Sequence, residues 1–379
     1  MDISYIINHL GEERDQYFNA IAPPIIQTSN FVFDSIADFK KAAQAERENH
    51  LYTRGNNPTV EILAKKLAAL QGSEDALVLS SGAGAISNAV IANVKAGDHV
   101  VCVKNAYSWA NRLLMNTLTR FDISTTFVEG DKVDNFKNAI QDNTTIIYLE
   151  SPSTLFFSLQ DLEAISQLAK QHDIITILDN SYSSPLSKSP FELGIDIVLH
   201  SASKYIGGHS DVVAGVLCAN KKMIDKIFHG EYMTFGNIIS PNNAWLLLRG
   251  LRTLPIRLRQ SSISTQRIVN YFNKHPKVKE VFYLFLENHP QKNLVNKQMS
   301  QPMAQFTIEF YEQEESKIDA FCDALQYFLI AVSWGGYESL ALPISGNYKG
   351  QDLYVVRFYV GLEDVEVLLD DIKKAMELL

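Results

Sequence analysis

Short apolar runs that alternate with amphipathic stretches constrain the fold of this chain more than any other feature of its sequence. Runs with the length of buried strands occur at residues 76–79, 99–103, 123–128, 145–149, 174–178 and 195–199. Helical stretches at residues 86–94 and 162–171 separate several of these runs. Because strands that alternate with helices tend to pair in parallel and to be covered on both faces, the pattern predicts an α/β domain with a mostly parallel sheet.

The regions on either side of this alternation suggest how the chain is divided. At 379 residues, two domains are the natural expectation. Residues 1–50 look irregular, whereas residues 51–240 carry the alternation and include a helix that Asn57 and Pro58 begin and Gly72 ends. From about residue 241, a long helix and strands near 304–310 and 354–359 predict a smaller C-terminal α/β domain over residues 241–379.

Composition argues against several classes of protein. The net charge of −9 and the lack of a basic run argue against nucleic acid as a partner. No apolar run approaches the roughly 20 residues that span a bilayer, and the N-terminus does not resemble a signal peptide. The three cysteines have no CxxC spacing, so we expect neither a disulfide framework nor a metal site. These features together predict a cytoplasmic protein without a membrane partner.

The residues that follow the predicted strands occupy the edge where an open parallel sheet binds its ligand. They form a polar set of small residues, one aromatic ring, two carboxylates and one lysine. The set comprises Ser81, Gly82, Ala83, Gly84, Tyr107, Glu150, Asp179, Ser201, Ser203 and Lys204. The sequence therefore predicts a ligand site at this edge.

The turn at Ser81-Gly82-Ala83-Gly84 leads directly into a predicted helix. Small residues there let backbone N–H groups approach a phosphate, whose charge the helix dipole favours. A dinucleotide site would need glycine or alanine at position 87, where Ser87 stands, so that interpretation fails. A phosphate loop and a plain strand-to-helix turn both remain open from these residues alone.

Asp179 and Lys204 each follow an apolar run and each allow two interpretations. Asp179 could keep a pyridine nitrogen protonated, or it could be a cap or ion-pair partner inside the fold. Lys204 could form an imine with an aldehyde while Ser201 and Ser203 bind a phosphate, or it could be a solvated surface lysine.

Longer motifs around these residues resemble one family of enzymes. Residues 178–182 and 194–211 are similar to the cofactor-binding signature of the cystathionine γ-synthase, cystathionine lyase and methionine γ-lyase family. Further blocks agree in the family's order: residues 52–59, 81–83, 150–152, 333–340 and 357–364. The resemblance extends from about Ala22 to the C-terminus. It implies a fold-type-I pyridoxal-phosphate enzyme that acts on sulfur-containing amino acids.

The resemblance implies which residues bind the cofactor, pyridoxal 5′-phosphate. Lys204 would carry it as a Schiff base and later move protons, Asp179 would pair with the pyridine nitrogen, and Tyr107 would stack on the ring. The phosphate would be held by Gly82, Ala83, Ser201 and Ser203 and, from a neighbouring subunit, by Tyr52 and Arg54. The family further implies a homo-oligomer, a tetramer built from dimers with shared active sites.

The resemblance also implies which residues bind the small-molecule substrate, an amino acid. Arg357 would grip its α-carboxylate with help from Ser333, and the pocket wall would include Trp334, Glu150 and Thr154. The chain departs from the family in three places: at Ser108-Trp109-Ala110, where Gly-Gly-Thr is common, at Thr154, where many members have Asn, and at Ala83, where Met is common. The first two alter the walls of the pocket, so they leave the substrate open.

The reaction expected from these motifs is cleavage of cystathionine by β-elimination to homocysteine, pyruvate and ammonia. Trp334 and Thr154 resemble the bacterial cystathionine β-lyase form of their blocks, whereas Val332 is apolar as in methionine γ-lyase-like members. The alternatives are γ-elimination by a cystathionine or methionine γ-lyase, and γ-replacement by a cystathionine γ-synthase or homoserine-ester sulfhydrylase. The Ser333-Trp334-Gly335-Gly336 block argues against an aminotransferase. Lys204, Asp179, Tyr107 and Arg357 together argue against a non-catalytic protein.

Overall fold

A seven-stranded sheet forms the centre of the protein, whose computed structural model describes residues 1–379. Its strands are β1 (Asp75–Leu79), β2 (His99–Val103), β3 (Ser124–Val128), β4 (Thr144–Glu150), β5 (Ile175–Asp179), β6 (Ile197–Ser201) and β7 (Gly215–Ala219). They lie in the order β1-β7-β6-β5-β4-β2-β3. Every neighbouring pair is parallel except the two that involve β7. The predicted α/β fold with a mostly parallel sheet is therefore confirmed, and the carboxyl ends of the other six strands meet at one edge.

The strand β7 was not among the predicted strands. It follows β6 without an intervening helix, so the alternation that marked the other strands is absent here. The residues that connect β6 to β7 form turns and no helix that could carry a parallel crossover, and β7 runs antiparallel to β6.

Helices cover both faces of this sheet. The α-helices of the chain are α1 (Ile3–Asn8), α2 (Ile36–Ala43), α3 (Pro58–Gln71), α4 (Gly82–Ile91), α5 (Ser108–Arg112), α6 (Val133–Ala139), α7 (Leu162–Gln171), α8 (Lys221–Ile227), α9 (Met233–Phe235), α10 (Pro241–Phe272), α11 (Lys292–Gln298), α12 (Glu315–Ala324) and α13 (Val365–Ala375). One buried core lies between the sheet and α4, α5 and α8. A second core lies between the other face and α3, α6, α7 and α10.

Capping residues set the ends of the two helices that matter most here. The helix α3 begins where Asn57 Oδ1 accepts the N–H of Thr59 at 3.0 Å, and it ends at Gly72, whose φ is +77°, as the sequence predicts. The helix α4 begins at Gly82, four residues before the predicted start, because the hydroxyl of Ser81 caps it by accepting the N–H of Gly84 at 2.9 Å.

A four-stranded antiparallel sheet forms the C-terminal part. Its strands are β8 (Val278–Phe282), β9 (Gln305–Phe310), β10 (Leu340–Tyr348) and β11 (Gln351–Tyr359), in the order β10-β11-β9-β8. The strands β9 and β11 lie where the sequence predicts strands. The helices α12 and α13 and the last turns of α10 bury one face of this sheet in a separate core.

The helix α10 links the two sheets. Its first half, including Leu247 and Leu254, packs into the core of the large sheet, and its last turns, including Ile268 and Phe272, pack into the core of the small sheet. A boundary at residue 241 would therefore divide two domains that share this helix, and it stays a proposal, as does a separate segment at residues 1–50.

The N-terminal segment is fastened to the large domain by buried charges. Glu12 lies 3.1 Å from the amine of Lys66 on α3, and both side chains are almost fully buried. Lys66 also donates to the carbonyls of Ile6 and Ile7 at 2.9 and 3.0 Å, which attaches α1 to α3. No helix of the protein combines the length and the apolar character that crossing a bilayer requires.

Candidate active site

Two buried carboxyl groups lie side by side at the carboxyl ends of β4 and β5. Glu150 and Asp179 are register partners on these strands, which places their backbones about 4.8 Å apart. Tyr148 and Ile177, two residues earlier on the same strands, both belong to the core beneath α4. Because alternate residues of a strand share a face, the two carboxyl groups point to the same side of the sheet.

One carboxylate oxygen of Asp179 is bonded within the chain, and the other can accept a hydrogen bond from a ligand. Its Oδ1 accepts the backbone N–H of Ser181 at 3.0 Å, and its other oxygen accepts no hydrogen bond from the chain. Burial raises the pKa of Asp179, while hydrogen bonds from the side chain and backbone of Ser181 and then the positive charge of Lys204 act in the opposite direction. A buried carboxyl group with a free oxygen is suited to pair with a protonated ring nitrogen of a ligand.

The amine of Lys204 follows β6 and meets a segment from the C-terminal part of the chain. Its Nζ donates to Oγ of Ser333 at 2.6 Å and lies 5.5 Å from the indole centroid of Trp334. Burial, and after it the positive charge of Arg357, lowers the pKa of Lys204 to about 8. A lysine with this pKa is partly neutral near physiological pH, so its amine can attack a carbonyl carbon or accept a proton.

The guanidinium of Arg357 reaches the same cleft from β11. Its Nη2 donates to the carbonyl oxygen of Ser333 at 3.3 Å, and the guanidinium pairs with no carboxylate of the chain. Burial lowers the pKa of Arg357, but a guanidinium remains charged at neutral pH. An unpaired, largely buried guanidinium favours an anionic partner, and its planar fork matches a carboxylate.

The segment that carries Ser333 and Trp334 packs directly on the lysine backbone. Gly335 has a φ of +90°, and a Cβ at this position would lie 2.7 Å from the backbone nitrogen of Tyr205 and 2.8 Å from the carbonyl carbon of Lys204. Only glycine permits both the backbone conformation and the approach. This contact holds Ser333 and Trp334 next to the amine of Lys204.

The loop at the start of α4 offers backbone donors. The N–H groups of Gly82 and Ala83 open the helix and have no acceptor in the chain. A Cβ at Gly82 would lie 3.0 Å from the Cβ of Ser201, so the loop and that hydroxyl residue are in contact. Ser203, in contrast, already accepts the N–H of Ala214 at 3.0 Å. Free N–H groups at a helix N-terminus beside a hydroxyl fit a phosphate.

The carboxyl group of Glu150 is engaged within the protein. Its Oε2 accepts the backbone N–H of Tyr107 at 2.6 Å, and its Oε1 accepts the hydroxyl of Thr154. Tyr107 begins α5 with its side chain partly exposed, where a flat ligand ring can stack on it. Burial raises the pKa of Tyr107, and the nearby Asp179 and Glu150 raise it further. A substrate-binding role for Glu150 and Thr154 stays a prediction.

Tyr52 and Arg54 lie apart from this cluster. Both are exposed, and the guanidinium carbon of Arg54 is 5.7 Å from the ring centroid of Tyr52. Neither side chain hydrogen-bonds to the residues at the strand ends. Their predicted contact with a phosphate held by a neighbouring subunit stays a prediction.

Ser181 was not among the predicted site residues, although it supports two of them. Its N–H donates to Asp179, and its hydroxyl accepts the N–H of Ser201 at 2.7 Å, which joins the ends of β5 and β6. The position of Ser181, two residues after an aspartate at a strand end, is a recognisable signal, because Asp side chains often accept the N–H two residues on.

Two cavities lie outside the cluster. One, of about 790 Å³, lies between the large and small sheets and is lined in part by Asn105, Glu129, Phe282 and Lys349. The other, of about 310 Å³, is lined in part by Arg47. Neither is lined by a predicted site residue, so the chemistry of the side chains, and not the volume of a cavity, defines the candidate site. No group of His, Cys, Asp or Glu side chains is arranged to hold a metal ion.

Comparison with known proteins agrees with this arrangement. The family described as Cys/Met metabolism PLP-dependent enzyme matches residues 5–377. An L-methionine gamma-lyase from Fusobacterium nucleatum subsp. polymorphum is 37% identical over 97% of this chain and 96% of its own length. A cystathionine beta-lyase from Lactococcus lactis subsp. cremoris is 34% identical over 97% of each chain.

A solved structure of the same fold contains the predicted cofactor joined to lysine. It is a putative O-acetylhomoserine (thiol)-lyase from Campylobacter jejuni, which is 27% identical, has a TM-score of 0.92 and covers 100% of both chains. That structure contains N′-pyridoxyl-lysine-5′-monophosphate. The prediction of pyridoxal 5′-phosphate (PLP) as cofactor is confirmed. The free oxygen of Asp179, the amine of Lys204 and the donors at Gly82 and Ala83 fit this group.

Proposed function

This chain belongs to the Cys/Met metabolism PLP-dependent enzymes, and from that premise we propose that it cleaves cystathionine by β-elimination. The products would be homocysteine, pyruvate and ammonia, with one water consumed. The observation that carries the proposal is the position of Trp334, whose indole stands beside the amine of Lys204.

The residues that would hold PLP come from four strand ends of one sheet. Lys204 would bind it covalently through Nζ, Asp179 would hold the proton on its ring nitrogen, and Tyr107 would stack on its ring. Its phosphate would lie at Gly82, Ala83, Ser201 and Ser203. When bound, PLP stabilises negative charge that develops at the substrate Cα and so allows a group on Cβ to leave.

Lys204 would transfer protons during the reaction. Its amine, whose pKa is lowered to about 8, would be a base suited to remove a proton from the substrate Cα near neutral pH. The hydroxyl of Ser333, 2.6 Å from Nζ, would hold the amine close to that proton.

Arg357 would orient the substrate for this transfer. Its unpaired guanidinium would form a bidentate pair with the α-carboxylate, and its bond to the carbonyl of Ser333 would fix the direction of the fork. Arg357 lies on the small sheet, whereas Lys204 follows a strand of the large sheet. The substrate Cα would therefore face Nζ of Lys204 only while the two sheets keep this relative position.

The wall beyond Lys204 favours a β-leaving group. Trp334 packs edge-on against Tyr205 at a centroid distance of 5.2 Å, and its ring is half-buried, so the indole narrows the cleft. Val332, two residues away, is exposed and offers no polar group to a distal substituent. A γ-acting site that recognises a distal polar group would benefit from a hydrogen-bonding partner there.

A second candidate is γ-elimination from methionine, to methanethiol, 2-oxobutyrate and ammonia. Two observations favour it: Val332 leaves an apolar wall suited to a methyl thioether, and several of the similar proteins are L-methionine gamma-lyases at 35–37% identity.

Product analysis separates the candidates. With L-cystathionine, β-elimination gives pyruvate and homocysteine in equal amounts, whereas γ-elimination gives 2-oxobutyrate and cysteine. Methionine supplied alone should yield little 2-oxobutyrate. Predominant 2-oxobutyrate from either substrate contradicts the proposal, and cystathionine synthesis from a homoserine ester and cysteine would indicate γ-replacement. Trp334→Leu should increase the share of 2-oxobutyrate, whereas Trp334→Phe, the matched control, should change it less.

We also propose that the working enzyme is an oligomer with shared sites. The N-terminal segment carries apolar side chains that are almost fully exposed in one chain, including Phe18 at 100% and Val32 at 95%. Exposed apolar side chains of this size favour association. Tyr52 and Arg54 follow this segment, so a second copy would bring them to the phosphate of its neighbour. The number of subunits is proposed as four, built from two such dimers.

A further inference from the structure

Glu150 and Asp179 place two carboxyl groups where one negative charge is favourable and two are not. They are register partners on adjacent parallel strands, point to the same face and are both buried. The two groups that hydrogen-bond to Glu150, the N–H of Tyr107 and the hydroxyl of Thr154, are both neutral. Like charges on neighbouring buried side chains repel, which favours a proton on one of the two carboxyl groups.

The cations of the cleft favour charge on Asp179. The positive charge of Lys204 acts on Asp179 and stabilises its carboxylate. Arg357 bonds to the carbonyl of Ser333 and forms no ion pair with Glu150. A ring nitrogen held by Asp179 would add a further positive charge on that side. Glu150 has no comparable partner.

The remaining titratable groups around Glu150 do not stabilise its charge. They are the phenols of Tyr107 and Tyr148 and the thiol of Cys102, and burial raises the pKa of each, so all three are neutral at physiological pH. Burial, and then the charge of Asp179, also raises the pKa of Glu150 itself. The proton of the pair therefore belongs to Glu150.

We propose that Glu150 is a protonated carboxylic acid that positions Tyr107 and Thr154 beside the cofactor ring while leaving the single negative charge on Asp179. The inference deepens the proposed function, because it assigns a positioning role within the same site. It differs from the role in substrate binding that the family resemblance implies.

A neutral Glu150 can use both of its oxygens at once. In the neutral acid, Oε2 can still accept the N–H of Tyr107, while a proton on Oε1 would let Glu150 donate to the hydroxyl of Thr154, the reverse of the direction that an ionised Glu150 requires. These bonds tie the loop after β2 to the loop after β4, on both sides of the place where the ring would lie. An ionised Glu150 would instead raise the pKa of Asp179 and weaken its hold on a ring nitrogen.

Infrared difference spectroscopy tests the proton directly. Wild type at neutral pH should show a deuterium-sensitive carbonyl stretch of a protonated acid that is missing from Glu150→Gln, with and without PLP. In Asp179→Asn the neighbouring negative charge is gone, so Glu150 should lose its proton more readily. As the pH is raised, the acid band should therefore disappear at a lower pH than in wild type. If wild type and Glu150→Gln give the same spectrum, the inference is wrong.

Asp371→Asn is the matched control for the spectrum. Asp371 is also buried and accepts backbone N–H groups, those of Gln326 and Tyr327 at 2.9–3.0 Å, but it lies on α13, outside the site. This variant should keep the acid band of Glu150 and the visible absorbance of bound PLP. Loss of the band in Asp371→Asn would show that it does not report Glu150, and that too would overturn the assignment.

Rescue by a neutral side chain tests the positioning role. Glu150→Ala should lower kcat/KM about thirtyfold, because it leaves the N–H of Tyr107 and the hydroxyl of Thr154 without a partner. Glu150→Gln should restore it to within about fivefold of wild type, and Glu150→Asp, whose side chain is too short to reach both groups, should not. Restoration by Asp but not by Gln, or by neither, contradicts the inference. The infrared band needs no turnover, so this inference and the proposed reaction can fail separately.

Discussion

The carboxyl edge of the large sheet and the N-terminal segment differ in how far one chain completes them. At the sheet edge, Asp179 and Glu150 are buried and Lys204 is held at 2.6 Å by Ser333. In the N-terminal segment, Phe18 and Val32 stand almost fully exposed. In the first region one chain buries and bonds the functional side chains, whereas the second presents apolar surface that one chain leaves uncovered.

This difference teaches that the two regions contribute different kinds of function. The sheet edge supplies groups whose pKa values depend on burial and on each other, and these need rigid surroundings. The N-terminal segment supplies exposed apolar side chains, and the exposed residues Tyr52 and Arg54, which follow it, would act only after assembly.

Removal of the lysine amine should have the largest effect. Lys204→Ala should lower turnover at least about 10⁴-fold, because in the proposed mechanism the same amine would hold the cofactor and transfer the proton. The visible absorbance of lysine-bound PLP should disappear as well. Steady-state kinetics and absorbance spectra check both losses, with circular dichroism as the control for folding. Turnover near the wild-type rate would mean that the site lies elsewhere.

Removal of the Asp179 carboxylate should reduce the rate less than removal of the lysine amine, and it should leave the fold intact. Asp179→Ala should lower kcat about 10³-fold, since the ring nitrogen would lose the charge that keeps it protonated. Cofactor should still bind through Lys204, which absorbance after gel filtration can show. A rate close to wild type would make Asp179 a purely structural residue.

Arg54 tests the other side of the comparison. Arg54→Ala should lower kcat/KM about 10²-fold through weaker phosphate binding, although Arg54 makes no bond to the strand-end residues of its own chain. Refolding equal amounts of Arg54→Ala and Lys204→Ala chains should restore about a quarter of wild-type activity, because half of the dimers are hybrids with one intact site. Hybrids that form, as native mass spectrometry can show, and yet stay inactive would exclude shared sites.

The attachment of the N-terminal segment can be weakened without touching the site. Glu12→Gln should reduce the free energy of unfolding by about 3 kcal/mol, because it leaves Lys66 as a buried cation without its charge partner. Arg14→Ala removes a partly exposed partner of the same carboxylate and should cost less than about 1 kcal/mol. Urea titration of both variants measures the contrast, and equal losses would show that burial does not govern this pair.

The smallest effect concerns pH. Because the pKa of Lys204 is lowered to about 8, its amine becomes neutral, and so reactive, as the pH rises through that value. The rate at which protein freed of cofactor binds PLP again should therefore rise between about pH 7 and 9 and then level off, whereas an ordinary lysine would go on gaining up to its usual range near 10.4. Stopped-flow absorbance follows the rate. Arg357→Ala removes a positive charge that lowers the pKa of Lys204, so the midpoint of the rate against pH should move to higher pH. An unchanged midpoint would show that the charge of Arg357 does not act on Lys204.

Much of the large sheet could be predicted because its strands have a local signature. Apolar runs such as 99–103 match β2 residue for residue, since a strand buried on both faces needs no polar position. The strand β7 is equally apolar, but no helix separates it from β6. The hydrophobic pattern alone does not show how two strands are connected, so β7 was not predicted. The strand β10 was not predicted for another reason: its second half is partly exposed and includes polar residues.

The candidate site was predictable where a residue follows a strand, as Asp179 and Lys204 do. Contacts between distant parts of the chain were less accessible. Nothing in the local sequence shows that Ser333 meets Lys204, 129 residues away, or that Glu150 and Asp179 are register partners. Such facts depend on strand order and on how the small sheet packs, so the resemblance to a family could name these residues but not their geometry.

The contact of Gly335 with the lysine backbone has a consequence for how this sequence can change over generations. Any side chain at position 335 would have to displace the main chain of Lys204 and Tyr205, so substitution of this glycine is not tolerated. Val332 and Tyr337 on either side are 77% and 55% exposed and have no such restriction. Selection for a new substrate therefore has room to act at these flanking positions, while the residue that holds the lysine in place is inherited unchanged.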